Sequence, residues 1–351
     1  MSPSISKRPR LYMLDGLRGL CAILVMVYHY LSWNKIEFFQ VGTFGVYIFF
    51  ILSGFSIWHV YGHTYVTRQS LRAFYVARFA RIFPLYFLVS LWSYYEFTTL
   101  KTFLLNATFL FGLAAPGLTS GITGGWSIGI EWVFYLVFPL FWIFLPNLKM
   151  MFALLAASIL INQIYVGSLF RQADLGTVWF DYTNFPVFLV YFIAGMLCAM
   201  LYGIISRKHP QGFSIPQEWL FGVAIVATLL FVFAYPSSSV ENYLWGYHFT
   251  LLILASSLAI LLCACIDKLH PIVIKLCKFL GDISFSAYLI HYYMYEYGMR
   301  FFTNYFSSIR LEYTLAIIAC LTLCVAYLLN RLYEIPARNL INSKYAKRVV
   351  S

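Results

Sequence analysis

Arg18 and His29 lie eleven residues apart in the apolar stretch LYMLDGLRGLCAILVMVYHYLSW, Leu11 to Trp33. At about 100° per residue that interval is three turns plus about 20°. On a helix the guanidinium and the imidazole therefore share one face, about 16 Å apart along the axis. Asp15, three residues before Arg18, falls within about 60° of it and can pair with it. Placing a charge at mid-membrane costs roughly 2.5 to 3.5 kcal/mol, so such a residue in an otherwise apolar helix points to function. Near neutral pH an imidazole is the usual general base, and a carboxylate partner commonly sets its tautomer.

A second polar stripe lies in WSIGIEWVFYLVFPLFWIF, where Ser127, Glu131 and Tyr135 recur every four residues and share one helix face. Glu131 reaches a membrane depth similar to that of His29 and is the acidic candidate for orienting it. Its alternative reading is a polar residue that holds helices together. Ser53 and Gly54 sit near the middle of VGTFGVYIFFILSGFSIWHVYGH. They fit either a close helix contact or a hydroxyl lining a polar cavity. In TYVTRQSLRAFYVARFARIFPLY, Arg78 and Arg81 are i,i+3 neighbours. They can present paired guanidinium groups to a phosphate, although lipid headgroups or orientation signals would use the same residues. His291 stands among tyrosines in ISFSAYLIHYYMYEYGMR, as a buried imidazole bonded to a neighbouring helix or as part of a site. Acyl transfer to a hydroxyl needs a base, donors for the developing oxyanion and a grip on an anionic donor, which coenzyme A would offer through its phosphates.

The elements that must position these groups are membrane helices. The 351 residues are 62% hydrophobic and 11% charged, with a mean hydropathy of +0.77, whereas soluble domains carry about 25% charged residues. Apolar runs near twenty residues exclude a β-barrel and specify an all-α, polytopic bundle. Ten spans are expected, at about 11–33, 41–62, 82–99, 127–145, 150–166, 185–205, 218–235, 247–266, 282–301 and 313–332. Residues 63 to 82 are expected to form an amphipathic helix at the interface. Those from 100 to 125 are expected to be an external or re-entrant segment, and Glu334 with Pro336 to mark the end of the last helix. The first run lacks a cleavage site and is expected to stay in the mature protein.

A net charge of +11 would suit a polyanion, but its distribution reports topology instead. With a cytoplasmic N-terminus, most of the 24 Lys and Arg fall on cytoplasmic segments, leaving Lys35, Lys101, Arg171, Arg300 and Arg310 outside. The organisation expected is a cytoplasmic tail at 1–10, a membrane domain at 11–333 and a basic cytoplasmic tail at 334–351, with no nucleic-acid partner. The seven cysteines fall in spans or on the cytoplasmic side, so no disulfide is expected. His59 and His63 have i,i+4 spacing but no HExxH between them, and no metal is expected. Phosphate-loop motifs of the GxxxxGK[ST] type are absent.

The blocks LDGLRGLCAILVMVYH, FFILSGFSI, RFARIFPLY, WSIGIEWVFYLVFP and ISFSAYLIH, in that order from Leu14 to His291, resemble the acyltransferase-3 family of integral-membrane O-acyltransferases. Arg18 and His29 match its Arg-x10-His pair. Glu131 is followed by Trp132, where the family often has two adjacent acidic residues. The resemblance implies a membrane-only enzyme, without the fused hydrolase-like domain of some relatives. It would move an acyl group, often acetyl, from cytoplasmic acyl-CoA to a hydroxyl of a glycan, glycolipid or related acceptor, in a bacterial inner membrane. On this reading His29 is base or transient acyl carrier, with Glu131 and Asp15 orienting it or balancing charge. Arg18, Arg78 and Arg81 engage acyl-CoA, while Ser53, Trp126, Ser127, Tyr135 and His291 form the acceptor side. The alternatives are a proton- or substrate-coupled transporter, which uses similar intramembrane charges, and a catalytically silent scaffold.

Overall fold

The computed structural model describes residues 10–36, 41–96, 98–144, 147–171, 173–209, 222 and 244–350. Among them there is no strand. The helices are α1 (Tyr12–Trp33), α2 (Val41–Tyr61), α3 (Arg68–Glu96), α4 (Leu100–Ala107), α5 (Pro116–Thr119), α6 (Gly125–Phe144), α7 (Leu148–Phe170), α8 (Leu175–Tyr182) and α9 (Phe185–Lys208). They continue as α10 (Gly246–Cys265), α11 (Pro271–Tyr305), α12 (Leu311–Leu329) and α13 (Ile335–Val350). Eight helices among the described residues are long and apolar enough to cross a membrane. Of the expected spans, 218–235 lies outside the described residues apart from position 222, and 282–301 lies inside the 35-residue, tyrosine-rich α11.

Two close helix contacts set the frame, and both rest on missing side chains. A Cβ built on Gly195 of α9 would sit 1.9 Å from the Ile51 carbonyl oxygen, and one on Gly54 of α2 would sit 2.1 Å from that of Phe192. Backbones that approach this closely gain dispersion contacts that larger side chains would prevent. The same device joins α1 to α11, where a Cβ on Gly19 would meet the Leu280 backbone and one on Gly281 would meet Asp15. Stacked aromatic rings fill the space between α6 and α9, with Phe134 and Phe192 at a centroid distance of 4.1 Å.

Two boundaries differ from expectation, and the segment expected to be external or re-entrant takes a defined form. The interfacial helix expected at 63–82 and the span at 82–99 are one continuous helix, α3, with Pro84 inside it. A proline removes one i→i−4 bond, but packing around a membrane helix tolerates the loss. The segment 100–125 folds into α4, a 3₁₀ turn at Leu110–Leu113 and α5, pinned by Asn106. That buried side chain accepts from the Tyr86 hydroxyl at 2.6 Å and donates to the Thr102 and Thr119 carbonyls at 2.8 and 2.9 Å. Pro336 does not end the last helix, because a π turn at Asn330–Glu334 carries α12 into α13, which packs on α3. The π turn already shifts the backbone register, so the missing N–H of a proline near the start of the next helix is cheap there.

Candidate active site

The contact between α1 and α11 brings two imidazoles together. His29 Nδ1 lies 3.1 Å from His291 Nε2, with ring centroids 5.0 Å apart and planes within 16°. His291 Nδ1 lies 2.6 Å from the Tyr288 carbonyl oxygen. A carbonyl oxygen can only accept, so the proton of neutral His291 is on Nδ1 and its Nε2 carries a lone pair. His29 therefore donates through Nδ1–H, and its own Nε2 is left with a lone pair, the form a general base requires. Trp33 stacks on both rings, at 5.1 and 5.9 Å, and limits their rotation. His291 is fully buried, and the Tyr30 hydroxyl donates to its backbone carbonyl at 3.0 Å.

Tyr288 joins this pair to a cavity between α1, α2, α3, α6 and α11. Its hydroxyl bonds Ser127 Oγ at 2.8 Å and the Gly124 carbonyl at 3.0 Å. The cavity holds about 550 Å³ of space not filled by atoms, part of it open to the outside. Arg18, Ser53, Arg81, Ser127, Glu131, Ser284 and Tyr288 supply its polar lining, and Phe49, Phe50 and Phe285 part of its apolar wall. Ligand sites typically combine an apolar wall with a few converging polar groups in this way.

Glu131 accepts the hydroxyls of Ser53 and Tyr135 on one carboxylate oxygen. It lines the cavity with Ser53, whereas Tyr135 does not, and the imidazole expected to meet it bonds His291 instead. Asp15 pairs with Arg18 at 3.6 Å, as the i,i+3 spacing implies, and also with Arg10. Arg18 Nη2 donates to Ser56 Oγ at 3.2 Å. Arg81 reaches the cavity directly. Arg78 lies over the rings of Tyr61 and Tyr135 at 5.9 and 5.7 Å, and its Nε is buried with no acceptor. Trp126 packs among Phe50, Trp179 and Phe188 and does not line the cavity.

Sequence reasoning missed Ser284 and Tyr288. The signal was present, since Ser284, Tyr288 and His291 follow i, i+4, i+7 spacing on α11, the same test that found Ser127, Glu131 and Tyr135. The guanidinium groups of Arg18 and Arg81, with the orphan donor of Arg78, fit an anionic ligand, because a buried donor left without an acceptor is costly.

A family profile described as an acyltransferase domain matches residues 11–329. Acyltransferase MdmB of Streptomyces mycarofaciens is 24% identical over 362 residues, covering 86% of this chain and 82% of its own length. Peptidoglycan O-acetyltransferase OatA of Listeria monocytogenes is 33% identical over 150 residues, 36% of this chain and 23% of its own. A putative acetyltransferase of Acidianus two-tailed virus is 24% identical over 290 residues, 80% of this chain and 82% of its own. No solved structure matches the chain. With its apolar helices and nearly its whole length inside the profile, the chain belongs to the acyltransferase-3 family and is a multi-pass membrane acyltransferase.

Proposed function

We propose that this enzyme moves an acyl group, acetyl as the simplest case, from acyl-CoA to a hydroxyl of a glycan, glycolipid or related acceptor, with His29 as general base. The observation that carries the reading is the chain from His29 Nδ1–H to His291 Nε2 and from His291 Nδ1–H to the Tyr288 carbonyl, which presents His29 Nε2 as a lone pair. In the reaction, His29 Nε2 takes the proton of the acceptor hydroxyl as its oxygen attacks the thioester carbonyl. Collapse of the tetrahedral adduct breaks the C–S bond, and the thiolate leaves with the proton returned from His29. Arg18 and Arg81 line the cavity and Arg78 offers a buried donor, a cationic set suited to the phosphates of the acyl donor. Entry of that donor from the cytoplasm, and residence in a bacterial inner membrane, belong to the same reading. The peptidoglycan O-acetyltransferase among the relatives supports a surface glycan as the acceptor class.

Purified protein in detergent, given acetyl-CoA labelled on the acetyl group and candidate hydroxyl acceptors, should transfer label. His29→Ala should abolish transfer while eluting as folded protein. Retained turnover in that variant would remove His29 from the chemistry.

A further inference from the structure

At the end of the bundle that carries Arg10, α11 and α12 enclose a second cavity that shares no lining residue with the first and holds about 540 Å³ of space not filled by atoms. Three cations face it, Lys275, Lys278 and Arg331, and none has a carboxylate partner among the described residues. Its one acid, Asp282, already receives Arg10 Nη2 at 2.8 Å. The arginine is pre-positioned, since its guanidinium lies 5.5 Å over the ring of Tyr327, which itself packs against Phe279 at 5.8 Å. That cation–π contact holds the charge beside the cavity while no carboxylate pairs with it among the described residues.

The π turn at Asn330–Glu334 shapes the cavity wall. Asn330 Nδ2 donates to the Asp282 carbonyl at 2.8 Å and Glu334 accepts from Ser286 Oγ at 2.9 Å, so the widened turn is fastened to α11. Asn330 is buried, and its Oδ1 has no donor. Single π turns are frequent at functional sites, and a buried acceptor left open beside unpaired cations fits a ligand that carries both negative oxygens and a hydroxyl or ammonium donor. Next in the chain to the lining residues Lys275, Tyr327 and Arg331 stand Leu276, Leu328 and Leu332, at 54%, 52% and 74% exposure. In a membrane-spanning chain such leucines contact acyl tails. We propose that this cavity binds the phosphate headgroup of an anionic membrane phospholipid, with the tails lying along these leucines.

Full-length protein in nanodiscs of phosphatidylcholine with about one-fifth phosphatidylglycerol should be compared with a Lys275→Gln/Lys278→Gln/Arg331→Gln variant that uses only exposed positions. After extraction, native mass spectrometry should find phosphatidylglycerol retained by the wild type, with affinity in titrations roughly 100-fold weaker in the variant. Equal retention by both proteins would overturn the proposal. It would also fail if coenzyme A or inorganic phosphate displaced the lipid from the wild type at micromolar concentration, since the site would then serve a soluble phosphate. Thermal unfolding of the variant in plain phosphatidylcholine checks that the triple change leaves the fold intact.

Discussion

Replacing His291 by Ala removes the imidazole that accepts from His29 Nδ1–H and leaves the Val25 carbonyl as a partner of the His29 ring, without touching the atom proposed to take the substrate proton. In the resting enzyme that contact is a bond between neutral groups, with a net worth of about 0.5–1.5 kcal/mol. When His29 carries the proton in the transition state, the same N–H is charged and the bond is worth about 1.5–3 kcal/mol. The difference, about 1–1.5 kcal/mol, acts on the chemical step and corresponds to roughly a five- to tenfold fall in kcat. Loss of the stacked ring that fixes the orientation of His29 adds to this, so the expected fall is about 10- to 100-fold. Because Arg18 and Arg81, which line the active-site cavity, are left unchanged, KM for acetyl-CoA should stay within about twofold. Thiol release from acetyl-CoA, with and without a hydroxyl acceptor, reads both parameters. His291→Gln should recover most of kcat, because its amide oxygen can take the place of Nε2 as acceptor. A folded His291→Ala protein with kcat within twofold of wild type would refute the relay, as would a Gln variant no better than Ala.

The remaining expectations follow from the cavity and the helix contacts. Arg78→Ala combined with Arg81→Ala should weaken coenzyme A binding by roughly 100-fold or more, from two charge-assisted contacts worth about 1.5–3 kcal/mol each, and calorimetric titration in detergent measures it. Unchanged affinity would remove both from the donor site. Glu131→Gln keeps an oxygen to accept from Ser53 and Tyr135 but deletes the negative charge beside Arg18 and Arg81. Transfer should fall by at least tenfold with the unfolding temperature little changed, whereas a collapse of stability with normal specific activity would make Glu131 a packing residue. Gly195→Ala forces a Cβ to within 1.9 Å of the Ile51 carbonyl and should destabilise the protein by roughly 1–3 kcal/mol. Thermal unfolding in detergent tests it, and an unaltered midpoint would contradict the α2–α9 contact.

What the sequence discloses here divides along the range of the interaction. The Asp15–Arg18 pair and the stripe of Ser127, Glu131 and Tyr135 are set by the pitch of one helix, and the structure places them as that pitch requires. Ser53–Gly54 illustrates a harder case, in which two readings both hold, since neighbours on a helix point about 100° apart. Gly54 meets the Phe192 backbone while Ser53 turns into the cavity toward Glu131. Periodicity fails where helices must choose neighbours. His29 and Glu131 share a depth, yet α1 lies along α11, so the imidazole found His291, 262 residues away, in place of the acid. Gly19 and Gly281 let those two backbones meet, and nothing in their spacing names the partner helix. Helix ends were misread for a related reason: the break expected at residue 82 and the end expected at Glu334 and Pro336 are both absent, because a membrane bundle leaves few alternative partners for the backbone, and the helix continues. Charged and polar residues in such a bundle are therefore better read in combination with the glycines on the same helix, which help select the helix they will face.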